Sequence, residues 1–241
     1  MSEAVLAGLA IFAGAVAAVS GFGIGSLLTP ALAVSLGTKA AVVVVALPHL
    51  AATALRLWML RRSIHREVVL TFGLASAAGG LAGSVLHASI ASPVLAAVLG
   101  TLLVLGGASE LTGLARRLRF PGPWAMVAGF LSGSFGGLVG NQGGIRSAAL
   151  LRFELDLKAL IATATASALL VDLARTPVYL VTGGQDILGR WPLVLLLASG
   201  VVLGTLVGGP LLRRIPEDAF RRLLSVLLIG LGVMLVLRAA A

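Results

Sequence analysis

Eight apolar runs, at roughly 4–36, 40–60, 67–86, 93–115, 124–151, 159–181, 191–212 and 223–237, cover most of this chain. Six of them are close to the ~20 residues that a helix needs to cross a bilayer. Runs of this kind leave few folds open. Backbone polar groups in hydrocarbon must be satisfied internally, so a spanning chain is either helical or a closed barrel. A barrel would show alternating strands of about ten residues, and the pattern here is continuous instead. Only 11% of the residues are charged and 59% are hydrophobic, against about 25% charged in a soluble domain. We therefore expect an all-α polytopic membrane protein. Its 31 glycines suit helices whose backbones approach closely.

Two runs, 4–36 and 124–151, are too long for one crossing and are interrupted by glycine near the middle, at "SGFGIG" (20–25) and "GNQGG" (140–144). They open an internal repeat. Gly14, Gly21, Gly25, Leu36, Lys39, Ala40 and Arg56 recur as Gly133, Gly140, Gly144, Leu155, Lys158, Ala159 and Arg175, each pair 119 apart, for instance 140 − 21. Further on, Gly79, Gly83, Ile90 and Leu99 pair with Gly204, Gly208, Ile215 and Leu224, each 125 apart. Glycine and leucine matches arise easily in such a composition. Lys39/Lys158 and Arg56/Arg175 in one register do not, and duplication is the better account. The halves are 1–119 and 120–241, forming one integrated membrane domain.

The net charge of +9 points to topology, not to nucleic acid. Basic residues gather in the short gaps 61–67, 116–119 and 213–222, while 87–92 and 182–189 have almost none. With basic loops inside, run 67–86 leaves the cytoplasm and its partner 191–212 returns to it, so the halves are inverted. Inversion needs an odd number of crossings per half, and the three unbroken runs supply it. Each broken run then contributes an even number, as a re-entrant hairpin or two short crossings. A single tilted crossing by 4–36 would make the repeats parallel. The first run follows "MSE" with no basic leader, so it reads as a retained membrane segment.

Inverted repeats with broken helices place a substrate where the breaks meet. After Gly140, Gly143 and Gly144 a new helix opens with Arg146 in its first turn. Free N–H groups and the helix dipole favour an anion there, and a guanidinium fork matches its oxygens. Asn141 and Gln142 add amide donors. Gly23, Gly25 and Ser26 of the first break complete a candidate cradle. The blander account of Arg146 is an ion pair with a buried carboxylate such as Asp172, or snorkelling to the inner face. Arg56 and Arg175 are repeat mates. Arg56 lies five residues before Arg61, which favours snorkelling. Arg175 follows Asp172 by three, which favours an ion pair. Arg56, Arg175, Asp172 and His49 are candidates for gating or proton coupling, since ionisable groups inside a span are functional by default. A neutral His49 bonded to a backbone carbonyl is the simpler alternative. His65 and His87 read as loop residues.

The chain has no cysteine and only three histidines, and its acidic residues do not cluster. No metal site, cofactor or catalytic arrangement is expected, and no phosphate-binding Gly-x-x-x-x-Gly-Lys-Ser/Thr loop is present. A membrane-embedded enzyme or an accessory protein remains the alternative class.

"AAVSGFGIGSLLTPALAVSLG" and "GFLSGSFGGLVGNQGGIRSAALL" resemble the paired glycine-rich motifs of the TauE/SafE (TSUP) family of sulfite exporters. The resemblance covers nearly the whole chain. It implies a multi-pass transporter of a bacterial or archaeal cytoplasmic membrane, exporting small sulfur-containing anions such as sulfite or organosulfonates. Family motifs often carry a proline soon after the glycines. Pro30 keeps it, whereas the second motif has Ala149 there and carries Asn141, Gln142 and Arg146. A homodimer is left open.

Overall fold

The structure, a computed structural model, describes residues 2–21, 23–114, 124–212 and 216–240. Phe22 of the first glycine break, the basic loop 116–119, residues 213–215 of the third basic loop, and the boundary between the two halves lie outside the described residues. The helices are α1 (Glu3–Ser20), α2 (Ile24–Leu36), α3 (Thr38–Leu60), α4 (Arg66–Ser89), α5 (Ser92–Thr112), α6 (Trp124–Val139), α7 (Gly143–Leu150), α8 (Leu157–Leu188), α9 (Trp191–Leu212) and α10 (Glu217–Ala240). Among the described residues there is no strand, and seven helices are long and apolar enough to cross a membrane. The protein is an all-α polytopic membrane protein, as the run lengths required. Large apolar side chains such as Leu70, Leu105, Val181 and Leu237 stand exposed around its perimeter, as lipid contact demands.

Both long runs break where glycine allows it. Gly21 ends α1 in the left-handed region (φ 78), and its N–H bonds the Ala17 carbonyl. Gly23 follows at φ 133, a conformation open in practice only to glycine. There the chain folds so tightly that a Cβ on Gly23 would sit 2.8 Å from Val16. The second run repeats this: Gly140 is left-handed (φ 73) and its N–H bonds the Gly136 carbonyl. Prolines do not break their helices here. Pro30, Pro48 and Pro177 all lie inside helices, because packed neighbours tolerate the freed carbonyl.

The helices pack through small residues, and the contacts give their directions. Along α1 and α9, a Cβ on Gly200 would meet Ala10, one on Gly204 would meet Ile11, and one on Gly208 would meet Ala15. These two helices run side by side in the same sense. Along α4 and α6, Gly79 faces Phe130 and Gly83 faces Ser134, again in the same sense. The two contacts match in the sequence offsets noted above: Gly79 and Gly204 are 125 apart (204 − 79), and Ile11 and Phe130 are 119 apart (130 − 11). By contrast α5 and α10, themselves repeat mates, are antiparallel, with Gly100 against Gly232 and Gly107 against Ser225. Repeat mates α3 and α8 are antiparallel too, since Val43 meets Gly183 while Arg56 meets Thr165.

Two readings of the sequence need correction. Residues 182–189 are not a connecting loop. They continue α8 to Leu188 across a kink at Gly183 (φ −135, ψ 16), closed by an Arg190–Asp186 pair at 2.5 Å. The polar composition that suggested a loop marks the end of the span. His87 is not in a loop either. It lies in α4, 1% exposed, and its Nδ1 donates to the Leu138 carbonyl at 2.7 Å.

The contact between the breaks is among the close backbone approaches of this fold. A Cβ on Gly25 would collide with the carbonyl oxygen of Gly140. Gly25→Ala should lower stability by about 1–3 kcal/mol, the usual cost of overpacking. Gly8→Ala, where nothing lies within 4 Å of the new methyl, should be neutral. Thermal unfolding of the two variants in one detergent compares them directly.

Candidate functional site

The two breaks bring four helix ends together. α1 and α6 end there, and α2 and α7 begin there. Neither α2 nor α7 has a side-chain cap from its own N-cap residue, Gly23 or Gln142. Helix N-termini leave N–H groups without intrahelical partners, so two positive dipole ends meet at the break. The breaks are also joined directly, as Ser26 donates to Asn141 Oδ1 at 3.1 Å.

Arginines close the opposite, negative ends. Arg56, from α3, donates through Nη1 to the Ala17 carbonyl at 2.9 Å. Arg175, from α8, donates through Nη1 to the Gly136 carbonyl at 2.6 Å. Both the arginines and the carbonyls are 119 apart (175 − 56 and 136 − 17), so one device is used twice. Cations are favoured at helix C-termini, and these carbonyls already accept the glycine N–H of each break. Arg56 also donates from Nε to Thr165 at 2.9 Å. Snorkelling is therefore incorrect for Arg56. It is 3% exposed, because it lies on the face of α3 that turns toward α8 and α1, not toward the basic loop.

Asp172 stands where the first half has Thr53. It accepts from Arg175 Nε at 3.0 Å, and Arg175 Nη2 approaches the same oxygen at 2.8 Å. Its other oxygen shares a 2.6 Å hydrogen bond with His49 Nδ1. The expected Asp172–Arg175 pair is present, and it extends to a triad across α3 and α8. His49 takes a carboxylate, not the backbone carbonyl that was its simpler alternative. Thr53 lies 3.3 Å from the same ring nitrogen.

Arg146 is the outlier. It is 3% exposed and enters the first turn of α7. Its Nη2 donates to the Gly21 carbonyl at 3.0 Å, which ties the second break to the first. Its Nε and Nη1 have no partner among the described residues. Both oxygens of Asp172 are engaged elsewhere, so the proposed Arg146–Asp172 pair is not formed. Gln142 is buried nearby with Oε1 unpartnered. Turning its amide over places a donor there instead. Arg56, Arg175 and Asp172 all lie within electrostatic reach of Arg146.

Of the remaining candidates, Gly23, Gly25, Gly143 and Ser26 are buried at the breaks. Gly144 is exposed, and its open side faces Gly106 of α5, so it lines the outside of α7. Tyr179 escaped the sequence reading, as did the burial of His87, while Thr29 was legible as one of the polar side chains of the first break. Thr29 is buried beside Gly140 with its hydroxyl unpartnered. Tyr179 donates to the Gly137 carbonyl and meets the His87 ring edge-on at 5.2 Å. The i, i+4 spacing of Arg175 and Tyr179 was the available signal.

The Asp172 triad is buried on all sides. Asp172→Asn would leave Arg175 and His49 without their carboxylate, and removing one partner of a buried pair costs about 3–5 kcal/mol. A fall of that order in unfolding free energy is expected, read by chemical or thermal denaturation in detergent.

The family model of the sulfite exporter TauE/SafE matches residues 6–235. No curated protein and no solved structure matches the chain. The match spans nearly the whole sequence, over a fold with seven candidate membrane helices, and this protein belongs to the TauE/SafE family of membrane transporters.

Proposed function

We propose that the protein exports small sulfur-containing anions, sulfite or an organosulfonate, across the cytoplasmic membrane of a bacterium or archaeon, and that the anion is held between the two glycine breaks. The observation that carries this is Arg146. It is a fully buried guanidinium with Nε and Nη1 unpartnered, at the start of a helix whose N-terminus has no side-chain cap. An unpaired charge in a dry site is costly, and a bound oxyanion offsets that cost through charge-assisted hydrogen bonds. Asn141, Gln142, Gly143, Ser26 and the backbone of Gly23 and Gly25 are the further ligands. The His49–Asp172–Arg175 triad, with Arg56, is the element that couples or gates. Export of an anion is favoured by an inside-negative potential, worth ~2.3 kcal/mol per charge per 100 mV.

In this reading the halves 1–119 and 120–241 are inverted repeats. Antiparallel contacts between repeat mates α3/α8 and α5/α10 support it, because mates related by an axis along the membrane normal would run in the same sense. With α1 parallel to α9, and α9 opposed to α8, α2 must return toward the side from which α1 entered. That is the even count the inversion requires. The natural absence of cysteine makes sidedness easy to read. An impermeant maleimide should label Gly189→Cys in intact cells, and Arg62→Cys only in inside-out vesicles. Labelling from one face would require parallel repeats.

Ligand stabilisation of the purified protein tests the site. Sulfite or a sulfonate should raise the unfolding temperature saturably, by about 2.7 kcal/mol of stability at one hundred times Kd. Lactate and chloride should not. Arg146→Ala should keep its fold and lose that response; unchanged affinity in this variant refutes the assignment.

A further inference from the structure

The proposed site has a charge imbalance that one singly charged anion leaves unmet. Its buried ionisable side chains are Arg56, Arg146, Arg175, Asp172 and His49. Asp172 is the one buried carboxylate among the described residues, and both of its oxygens go to Arg175 and His49. It neutralises one arginine. Three arginines against one aspartate leave a surplus of two positive charges with His49 neutral, and a protonated His49 only adds to it.

The two uncompensated arginines converge. Arg56 reaches from α3 to the Ala17 carbonyl, and Arg146 reaches from α7 to the Gly21 carbonyl. These carbonyls belong to one turn, since the Gly21 N–H bonds Ala17 O. Two like charges are thus tethered, from separate elements, to the same helix end. Helix dipoles do not balance them. The C-termini of α1 and α6 contribute about half a negative charge each, and the N-termini of α2 and α7 meet at the same breaks with the opposite sign, so the four ends cancel. Thr165 holds Arg56 by its Nε, and the Thr165 hydroxyl is fixed in turn on the Ile161 carbonyl.

We infer that the occupant is an oxyanion with two negative charges, such as fully ionised sulfite or a sulfonate that also bears a carboxylate, and that Arg56 is the second cationic group selecting it. This rests on the reading that an anion binds between the breaks. Arg146 supplies directed donors to the oxyanion head, whereas Arg56 supplies the second charge. Singly charged sulfonates satisfy the first arginine and leave the second unbalanced.

The test compares methanesulfonate, with one charge, and sulfoacetate, with two, on the full-length protein in detergent at constant ionic strength, by calorimetry. Sulfite is titrated on either side of its second ionisation. The doubly charged forms should bind on the order of tenfold tighter. Arg56→Gln should weaken sulfoacetate by a similar factor while changing methanesulfonate by less than about threefold. Arg56→Lys, which keeps the charge, should retain most of the preference. A merely structural role for Arg56 would weaken both ligands alike, and that result overturns the inference, as does equal affinity of wild type for the two sulfonates. Should Arg56→Gln fail to fold, the wild-type ratio and its reduction in Thr165→Val decide. If wild type binds none of the three anions, the anion site itself is wrong, an outcome distinct from binding without charge preference.

Discussion

The structure depends on how a helix can end inside a long apolar run. A helix C-terminus leaves carbonyls without intrahelical donors, and hydrocarbon offers no water to satisfy them. Here α1 and α6 both stop within long apolar runs, and each is closed by the N–H of a left-handed glycine and by an arginine from the neighbouring long helix. Without those arginines the breaks would be costly. With them, the breaks become stable, and the following helices α2 and α7 restart with positive ends turned to the same place.

That solution imposes a second requirement. Arginine in a membrane interior is tolerated where it faces the bundle interior and finds partners. Arg175 finds Asp172 as well as a carbonyl. Arg56 finds only neutral oxygens, and Arg146 one carbonyl. A site that closes helix ends with cations therefore also accumulates positive charge. In the proposed function, structural capping and anion affinity arise from the same residues, so a substitution at Arg56 or Arg175 would bear on both stability and binding.

Around this centre the packing is made by small residues. Helices α1 with α9 and α4 with α6 come so close that a single methyl at Gly204, Gly133 or Gly137 would strike the facing backbone. Close backbone approach gives van der Waals contact that lipid cannot replace. The pairs α1/α9 and α4/α6 flank the two breaks, so the breaks are held against each other from both sides. Gly25 against Gly140 is the point where they meet.

Much of this was readable from residue order. Run length and charge density determine that the chain spans a membrane as helices, since backbone hydrogen bonding in hydrocarbon permits little else. The 119-residue spacing locates both breaks and pairs Arg56 with Arg175, and the three-residue step from Asp172 to Arg175 places them on one helical face. These are local or periodic properties, carried by positions along the chain. The burial of Arg56, the carboxylate link from His49 to Asp172, the tie from Arg146 to Gly21 and the inward place of His87 are different. Each joins residues 39 to 125 positions apart or more than one helix. Which face of α3 or α4 turns inward depends on the neighbours that cover it, and a helix that is apolar all round shows no such preference in its own sequence. Tertiary packing alone made that choice, and with it set which arginines are left without a carboxylate partner.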